Sequence, residues 1–367
     1  MSLLFQPGSI GSLQLPNRLI RSATAEYMAD LEGRPQAPMY DLYRELARGG
    51  VGLIITGHCY VHPGGRCHLH MVGVYDDDLL PELEALASAA HEEGGLVVMQ
   101  INHGGRQSRQ EAIPGTPVAP SAVAATKGDE RPRELNEEEI WEIIAAFGDA
   151  AGRAQAAGFD GVQIHAAHGY LVNQFNSPAT NWRTDRWGRT AAGRMRFLEE
   201  VAAAIRDRVG DDYPVLVKLG MQDYIRDGLT VKGGAEIVSH LEDWGIDGLE
   251  VSGGIGRTSV LKDILRPEDE AYFLDSARAA REATDLPISL VGGMRSMEVM
   301  ERILEEGTTN FISMSRPLIR QPDLPRRFQE GLKRADCVSC NRCWPPLGEY
   351  GIACRDPNRG EPAESSD

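Results

Sequence analysis

Several features that would place this sequence in a class at once are missing from it. No stretch reaches the roughly 18 consecutive apolar residues that a membrane helix needs. The N-terminal "MSLLFQPGSIGSL" has neither the charged start nor the long apolar run of a signal peptide. Positive charge is in deficit, since 38 Lys and Arg face 54 Asp and Glu for a formal net charge of −16. We therefore expect neither a membrane nor nucleic acid as a partner.

Cysteine is scarce as well, with six residues in a chain of 367. Four of them follow the spacing C-x2-C-x2-C-x10-C, at Cys337, Cys340, Cys343 and Cys354. Without a signal peptide, clustered thiols favour a metal in the reducing cytoplasm over disulfide bonds. We predict a cytoplasmic protein with one large domain over 1–335, a cysteine-rich segment over 336–358 and a disordered end over 359–367.

What the sequence does contain is a regular alternation of short apolar runs and amphipathic segments of helix length. The eight runs are "RLIRSA" (18–23), "GLIITG" (52–57), "LVVMQIN" (96–102), "GVQIHA" (161–166), "VLVKLG" (215–220), "GLEVSGG" (248–254), "ISLVGG" (288–293) and "FISMS" (311–315). Helices are predicted at 81–93, 136–157, 192–209, 231–244, 269–283 and 296–306. Because the runs are apolar throughout, they predict parallel strands buried on both faces.

Eight strand–helix units indicate an α/β fold, a (β/α)8 TIM barrel with a C-terminal cysteine-rich extension; a doubly wound sheet is the alternative. The barrel is favoured because no GxGxxG follows the first strand and because polar residues recur where the strands end. In a barrel these ends converge on one pocket. The long connections 104–135 and 171–190 are expected to line or cover that pocket.

The polar residues at the strand ends form three groups. The first comes from "VGGM" and "SMSRP", where barrels often bind phosphate, and comprises Gly292, Gly293, Ser315 and Arg316. Alternatively, the two glycines only form tight turns and Arg316 pairs with a surface carboxylate. In the second group, "HAAHGY", His165 and His168 can stabilise negative charge on one carbonyl oxygen, and Tyr170 can deliver a proton. Two ordinary loop histidines, or a two-histidine metal site, are the alternatives.

The third group consists of Lys218, inside an apolar strand, and Gln100. A buried lysine needs an anion, or it loses its proton as in Schiff-base enzymes. A planar heterocycle with carbonyl and N–H edges would suit an amide beside a cation. Together with a phosphate clamp, this pair fits FMN.

The longer motifs resemble the old yellow enzyme, or NADH:flavin oxidoreductase, family of FMN-dependent barrels. The resemblance covers nearly all of 5–335 through "LPNRLIRSA", "QINHGGRQ", "AGFDGVQIHAAHGYLVNQFNSPATNWRTDRWG", "VGGM" and "SMSRPLIRQPDLPRRF". The branch of the family that carries an iron–sulfur cluster includes 2,4-dienoyl-CoA reductase and trimethylamine dehydrogenase. The cysteine spacing is similar to that branch.

The resemblance implies a role for each matching residue. Flavin contacts are implied for Ser22, Ala23, Thr24, Gly57, Gln100, Lys218, Gly292, Gly293, Ser315 and Arg316. His165 and His168 match the pair that anchors a substrate oxygen, and Tyr170 matches a proton donor. Tyr27 is a candidate for the substrate pocket. Scaffold roles in the long loop are implied for Asn181, Arg183 and Asp185.

The reaction implied is ping-pong: NAD(P)H gives hydride to flavin N5, and an activated C=C bond of a small molecule then takes it. Ala25 stands where many relatives have Thr or Cys, so a hydrogen bond that tunes the flavin is expected to be missing. The larger relatives continue into a dinucleotide-binding domain, which we expect to be absent here. A separate electron-transfer protein is then a candidate partner, and a homo-oligomer is left open.

Other functions are open at this level. A flavin amine dehydrogenase or N-demethylase would pass electrons out through a [4Fe–4S] cluster, and a Schiff-base lyase would use Lys218 without a redox cofactor. A non-catalytic scaffold would bind zinc. Three closely spaced thiols and a distant fourth suit an iron–sulfur cube better than zinc, which prefers two C-x2-C knuckles. A vestigial or redox-reactive segment is the remaining alternative. Cys59 and Cys67 are read as ordinary thiols.

Overall fold

The computed structural model describes residues 2–126, 128–258, 260–346 and 349–357. Besides a short strand at Cys59–Tyr60, its central sheet has eight parallel strands: β1 Leu19–Arg21, β2 Leu53–Ile55, β3 Val97–Asn102, β4 Gly161–Ala166, β5 Val215–Gly220, β6 Gly248–Ser252, β7 Ile288–Leu290 and β8 Phe311–Met314. They follow the order β2-β1-β8-β7-β6-β5-β4-β3, and pairing of β2 with β3 closes the sheet. The eight predicted strands and the (β/α)8 barrel are confirmed. The predicted disordered end, 359–367, lies outside the described residues.

Ten α-helices lie in the described part of the chain. They are α1 Ala37–Arg48, α2 Leu80–His91, α3 Glu137–Ala156, α4 Leu171–Asn176, α5 Ala191–Val209, α6 Val231–Val238, α7 Leu274–Ala283, α8 Met297–Glu305, α9 Arg316–Arg320 and α10 Leu324–Gln329. The six predicted helices are present, but α6 ends before 244 and α7 begins after a separate 3-10 turn at Pro267–Asp269. Asn136 caps α3 through a capping box with Glu139.

Apolar packing closes the barrel at one end and leaves the other end to polar side chains. The main core fills the layer between strands and helices, where Phe147 of α3 packs edge-to-face on Phe197 of α5 at 6.5 Å between ring centroids. A second cluster joins the hairpin of Gly8–Ile10 and Leu13–Leu15 to the barrel interior at Phe311. Polar residues can therefore collect at the carboxyl ends of the strands.

The described part of the cysteine-rich segment packs against this polar end. The N–H groups of Gly351 and Ile352 donate to the carbonyls of Tyr27 and Glu26, in the loop after β1. Arg320 at the end of α9 forms a buried ion pair with Asp356. These contacts tie the segment to two loops of the barrel mouth. Among the described residues, no helix combines the length and apolar character needed to cross a membrane.

Candidate active site

A cavity of about 250 Å³ opens at the carboxyl ends of the strands. Its lining includes the predicted residues Ser22, Ala23, Thr24, Gln100, His165, His168, Tyr170, Lys218, Gly292, Gly293, Ser315 and Arg316. The structure thus brings together all the predicted flavin and substrate residues except Gly57 and Tyr27. Ala25 lines the same cavity, so the position read as a departure from the family pattern does face it.

Gly57 lies behind the wall of the cavity. Its N–H donates to Glu26 Oε1 at 2.9 Å, and a Cβ here would lie only 2.0 Å from Glu26 Oε2. Gly57 is therefore not among the residues that line the cavity, whereas the next residue, His58, is. Tyr27 lines a smaller adjacent cavity, where its ring stacks on His68 at 3.9 Å between centroids.

A buried polar network supports one wall of the cavity. Lys218 Nζ donates to Ser22 Oγ at 2.7 Å and to Glu250 Oε1 at 3.3 Å, and Ser22 Oγ donates to the same carboxylate at 2.6 Å. Gln163 donates to Glu250 Oε2 at 3.0 Å and accepts from Gln100 Nε2 at 2.7 Å. Because a carboxylate can only accept, it sets the direction of each bond. Gln100 is left with its carbonyl oxygen and one N–H that a ligand can use.

The partner of Lys218 bears on the chemistry of this wall. Lys218 and Glu250 lie opposite each other on neighbouring strands, and their side chains are only 3% and 1% exposed. Glu250 supplies the counter-charge of an ammonium group. This arrangement favours a fixed cation in the wall over the neutral amine that a Schiff-base enzyme requires.

Imidazoles and a phenol form a second wall. The ring of His165 lies 5.0 Å from that of His168 and 4.9 Å from that of Tyr170, and His58 lies 5.0 Å from Tyr170, measured between centroids. His168 has a left-handed backbone with φ 62°, and its Nε2 bonds Ser252 Oγ at 2.8 Å. Within the described protein, the buried Nδ1 of His165 has no hydrogen-bond partner. This orphaned atom calls for a ligand.

Burial is the main influence on the protonation of this wall. Together with a smaller contribution from the positive charge of Lys218, it lowers the pKa of His58 to about 4 and that of His168 to about 3. Burial also lowers the pKa of His165 well below its usual value and raises the pKa of Tyr170 well above 10. At neutral pH the imidazoles are therefore neutral donors, and Tyr170 keeps its proton.

The ends of β7 and β8 form the predicted phosphate side. Gly292 and Gly293 have φ values of 132° and 75°, where a side chain would be strained. Arg316 is buried, and its Nη1 donates to Leu261 O at 2.7 Å. Ser313 Oγ, also in the lining, is a second buried atom without a partner in the described protein. A permanent cation, a glycine turn and unpartnered polar atoms fit a phosphorylated flavin.

The four clustered thiols line one small cavity together with Arg316 and Arg320. All six cysteines of the chain are free, including the buried Cys59 and Cys67. In the described ranges, no group of three or more His, Cys, Asp or Glu side chains meets the geometry of a metal-ion site. The predicted metal ligands are therefore brought together, but an iron–sulfur site is not shown.

The predicted scaffold residues lie outside the cavity and hold the long loop after α4. Asn181 Nδ2 donates to the Trp187 carbonyl at 2.8 Å, and Asp185 Oδ1 accepts from the Trp187 N–H at 3.0 Å. Arg183 donates to the Leu135 carbonyl at 2.6 Å. These contacts agree with a structural role.

The residues that sequence reasoning missed include several that support or complete the walls, among them His58, Gln163, Glu250, Ser339 and Trp344. Gln163 and Glu250 do carry a signal, because each is a polar residue within an otherwise apolar run. Ser339 and Trp344 carry none, since only the folded structure brings the cysteine-rich segment to the cavity.

Comparisons with known proteins agree with this site. The NADH:flavin oxidoreductase / NADH oxidase family matches residues 3–335. An NADH oxidase of Thermoanaerobacter brockii is 37% identical, over 92% of this chain and 52% of the relative. An NADPH dehydrogenase of Geobacillus thermodenitrificans is 34% identical, over 94% and 99%.

Among solved structures, 2-naphthoyl-CoA reductase in complex with 2-naphthoyl-CoA superposes with a TM-score of 0.86 at 32% identity. The superposition covers 93% of this chain and 54% of that one. This chain thus spans about half the length of that reductase and of the NADH oxidase. The match to the family nevertheless extends over the whole barrel, and the chain belongs to the NADH:flavin oxidoreductase / NADH oxidase family.

Proposed function

We propose that this chain is an FMN-dependent oxidoreductase that moves electrons from NAD(P)H to the activated C=C bond of a small enone- or enoyl-type molecule. One observation carries the proposal: a neutral imidazole pair shares a cavity with a buried arginine and a buried lysine cation. When bound, FMN supplies the two-electron transfer that no side chain can perform. Residues Arg316, Gly292 and Gly293 are the candidates to hold its phosphate, and Lys218 and Gln100 its ring.

The imidazole pair is the proposed anchor for the carbonyl oxygen of the substrate. Two neutral N–H donors aimed at one oxygen stabilise the negative charge that develops there, and burial strengthens the effect. Ser252 holds His168 through Nε2, which fixes the plane of that ring. His165 keeps a buried nitrogen for the ligand. Tyr170, whose pKa is raised by burial, retains its proton until a carbon with negative charge is present to take it.

The wall that contains Lys218 and Gln100 is proposed to stabilise charge on the ring. Glu250 keeps Lys218 in place, and the chain of amides through Gln163 presents the Gln100 carbonyl oxygen to an N–H edge. A cation beside an acceptor suits a ring edge that carries both a carbonyl and an N–H.

Purification of the full chain tests this function directly. A bound flavin is expected to give an absorbance band at about 450 nm, and NADH or NADPH is expected to bleach it without oxygen. Addition of an enone should then restore the band. A colourless protein that takes up no FMN would exclude the proposal. The hypothesis of a Schiff-base lyase that uses Lys218 would then remain.

We also propose a [4Fe–4S] cluster at the four cysteines, exchanging electrons with a separate partner protein. The convergence of all four thiols on one cavity supports it, as does their free state, which suits the reducing cytoplasm. Each thiolate of a cube binds a different iron, so the site needs more room than one ion. If electrons leave this way, amine dehydrogenation or N-demethylation is the alternative reaction. Iron, sulfide and zinc analysis of anaerobically purified protein distinguishes a cube from zinc or an empty site.

A further inference from the structure

Arg316 belongs to two cavities at once. It lines the barrel cavity and also the small cavity of the four thiols, and Ser339 does the same. Trp344, which directly follows the third clustered cysteine, also reaches the barrel cavity. The cysteine-rich segment is therefore part of the wall beside the candidate phosphate position.

The segment holds the guanidinium of Arg316 by one of its nitrogens. Arg316 Nη1 donates to the side-chain oxygen of Asn341 and to Leu261 O at 2.7 Å, and a longer contact of 3.5 Å reaches Ser339 O. A guanidinium is planar and Nη1 carries only two protons, so these acceptors fix the plane of the whole fork. An anion in the barrel cavity then has to be bound through Nε and Nη2.

The backbone of the segment is shaped to deliver this acceptor. Ser339 and Asn341 both have left-handed backbones, with φ values of 54° and 58°. Asn tolerates this conformation better than most residues, and both positions lie between clustered cysteines. The carbonyl of Ser339 also accepts from the Asp263 N–H at 3.2 Å, which joins the segment to the loop after β6. The position of the Asn341 side chain thus depends on the cysteine-rich segment.

We propose that the cysteine-rich segment completes the phosphate side of the flavin site, with Asn341 as the positioning residue that fixes Arg316. The inference rests on the proposed function, because it takes FMN as the ligand of the barrel cavity. Asn341 acts on the flavin only through Arg316. Its removal is therefore expected to weaken the hold on the phosphate and to leave the hold on the ring unchanged.

Titration of the full-length chain with FMN and with riboflavin, which lacks the phosphate, separates these two effects. Asn341→Gly is the test variant, because glycine removes the side chain and keeps the left-handed backbone. Loss of a hydrogen bond to a charged group should raise the Kd for FMN about 10-fold. The Kd for riboflavin should change by less than about 2-fold. Arg342→Ala, an exposed neighbour in the same segment, is the matched control and should change neither.

A double-mutant cycle tests the route through Arg316. In an Arg316→Ala background, Asn341→Gly should have no further effect on FMN binding, since the group that it positions is gone. Three results would each overturn the inference while leaving the proposed function in place. The first is that Asn341→Gly weakens the binding of FMN and of riboflavin equally, and the second is that it has no effect on either. The third is that its effect on FMN binding adds to that of Arg316→Ala. If the unaltered chain binds neither flavin, the proposed function fails as well. Asn341→Ala provides a second variant, to be read with the same two ligands.

Discussion

The barrel mouth and the cysteine-rich segment both gather reactive side chains, but they hold them in different ways. At the mouth, polar groups are fixed by partners on neighbouring strands: Lys218 by Glu250, and Gln100 by Gln163. In the segment, by contrast, the contacts reach the backbone around the thiols, as where Arg355 Nη1 donates to the Cys343 carbonyl at 2.8 Å.

This difference follows from the elements that carry the two regions. Sheet register sets the distance between strand neighbours, so the mouth is preorganised before a ligand arrives. The described part of 336–357 contains neither a helix nor a strand, so its thiols depend on turns and on whatever they bind. The comparison predicts that changes at the mouth have large, local effects, and that changes in the segment have smaller effects transmitted to the flavin.

The largest effect is expected from His165→Ala combined with His168→Ala. Removal of one preorganised donor at a developing oxyanion costs about 10²- to 10³-fold in rate, so loss of both should lower enone reduction by about 10⁴-fold. FMN content, read from absorbance, should stay unchanged because the phosphate and ring contacts lie on other strands. His240→Ala, in the connection between α6 and β6, is the control. Parallel loss of FMN and turnover would remove these residues from the substrate-anchor role.

The next largest effect is expected on stability, and it tests whether the Lys218–Glu250 pair organises the cavity wall. Glu250→Gln leaves the Lys218 charge buried without its partner, which should lower the free energy of unfolding by about 4 kcal/mol. The additional change Lys218→Met removes that charge and should recover much of the loss. Urea denaturation of both variants checks this. A single variant as stable as the original chain would show that the pair does not organise the mouth.

Glu250 also shows where prediction from sequence ends. The runs of apolar residues were enough to predict all eight strands, and the strand ends were enough to predict twelve of the residues that line the cavity. In strands buried on both faces, however, composition does not reveal which face a polar residue occupies. Only the register, with Lys218 opposite Glu250, shows that this carboxylate lies under the site.

The position of Gly57 behind the cavity wall likewise could not be read from the sequence. Successive residues of an extended chain point to opposite sides, so a shift of one residue separates the cavity from the space behind its wall. At Gly57 that space is filled by Glu26, whose carboxylate is bound by Arg21 at 2.8 Å and Tyr43 at 2.9 Å. This buried cluster joins residues from three separate stretches of the chain and has no local sequence signal.

A pH dependence is expected from the mouth and not from the segment, because 336–357 contains no histidine. Burial lowers the pKa of His58 to about 4 in the folded protein. Between pH 6.5, the value of an unfolded histidine, and pH 4, the unfolded chain binds a proton that the fold excludes. Stability should therefore fall as the pH drops through this window, by up to about 3 kcal/mol from His58. The contribution of His58 should level off below pH 4.

Urea midpoints measured from pH 7 to pH 4 check this contribution. His58→Asn removes one titrating group and should reduce the slope of the profile, while Asn keeps a polar side chain next to Asn102, which bonds His58 at 2.9 Å. An unchanged slope in the variant would assign the pH dependence to other groups, of which the buried His168 and His165 are the first to examine.

The smallest effect on FMN binding is expected from a substitution in the cysteine-rich segment. Its size shows whether the segment is as preorganised as the barrel mouth. Cys340→Ser should abolish the proposed cluster, measured as iron and sulfide content, and should raise the Kd for FMN by only a few-fold, about 1 kcal/mol. The reason is that the contacts of Gly351, Ile352 and Asp356 to the barrel persist, whereas the turn that carries Asn341 loses its fixed ends.

Cys67→Ala, a buried thiol outside the segment, is the control for Cys340→Ser and should alter neither iron content nor the Kd for FMN. If iron is lost while FMN affinity stays the same, protein contacts alone fix the segment. It would then be as preorganised as the mouth, although no strand lies in its described part. If FMN affinity falls as far as in Arg316→Ala, the cluster is instead the principal support of the phosphate site. A loss between these limits is the result expected for a segment held partly by the protein and partly by its ligand.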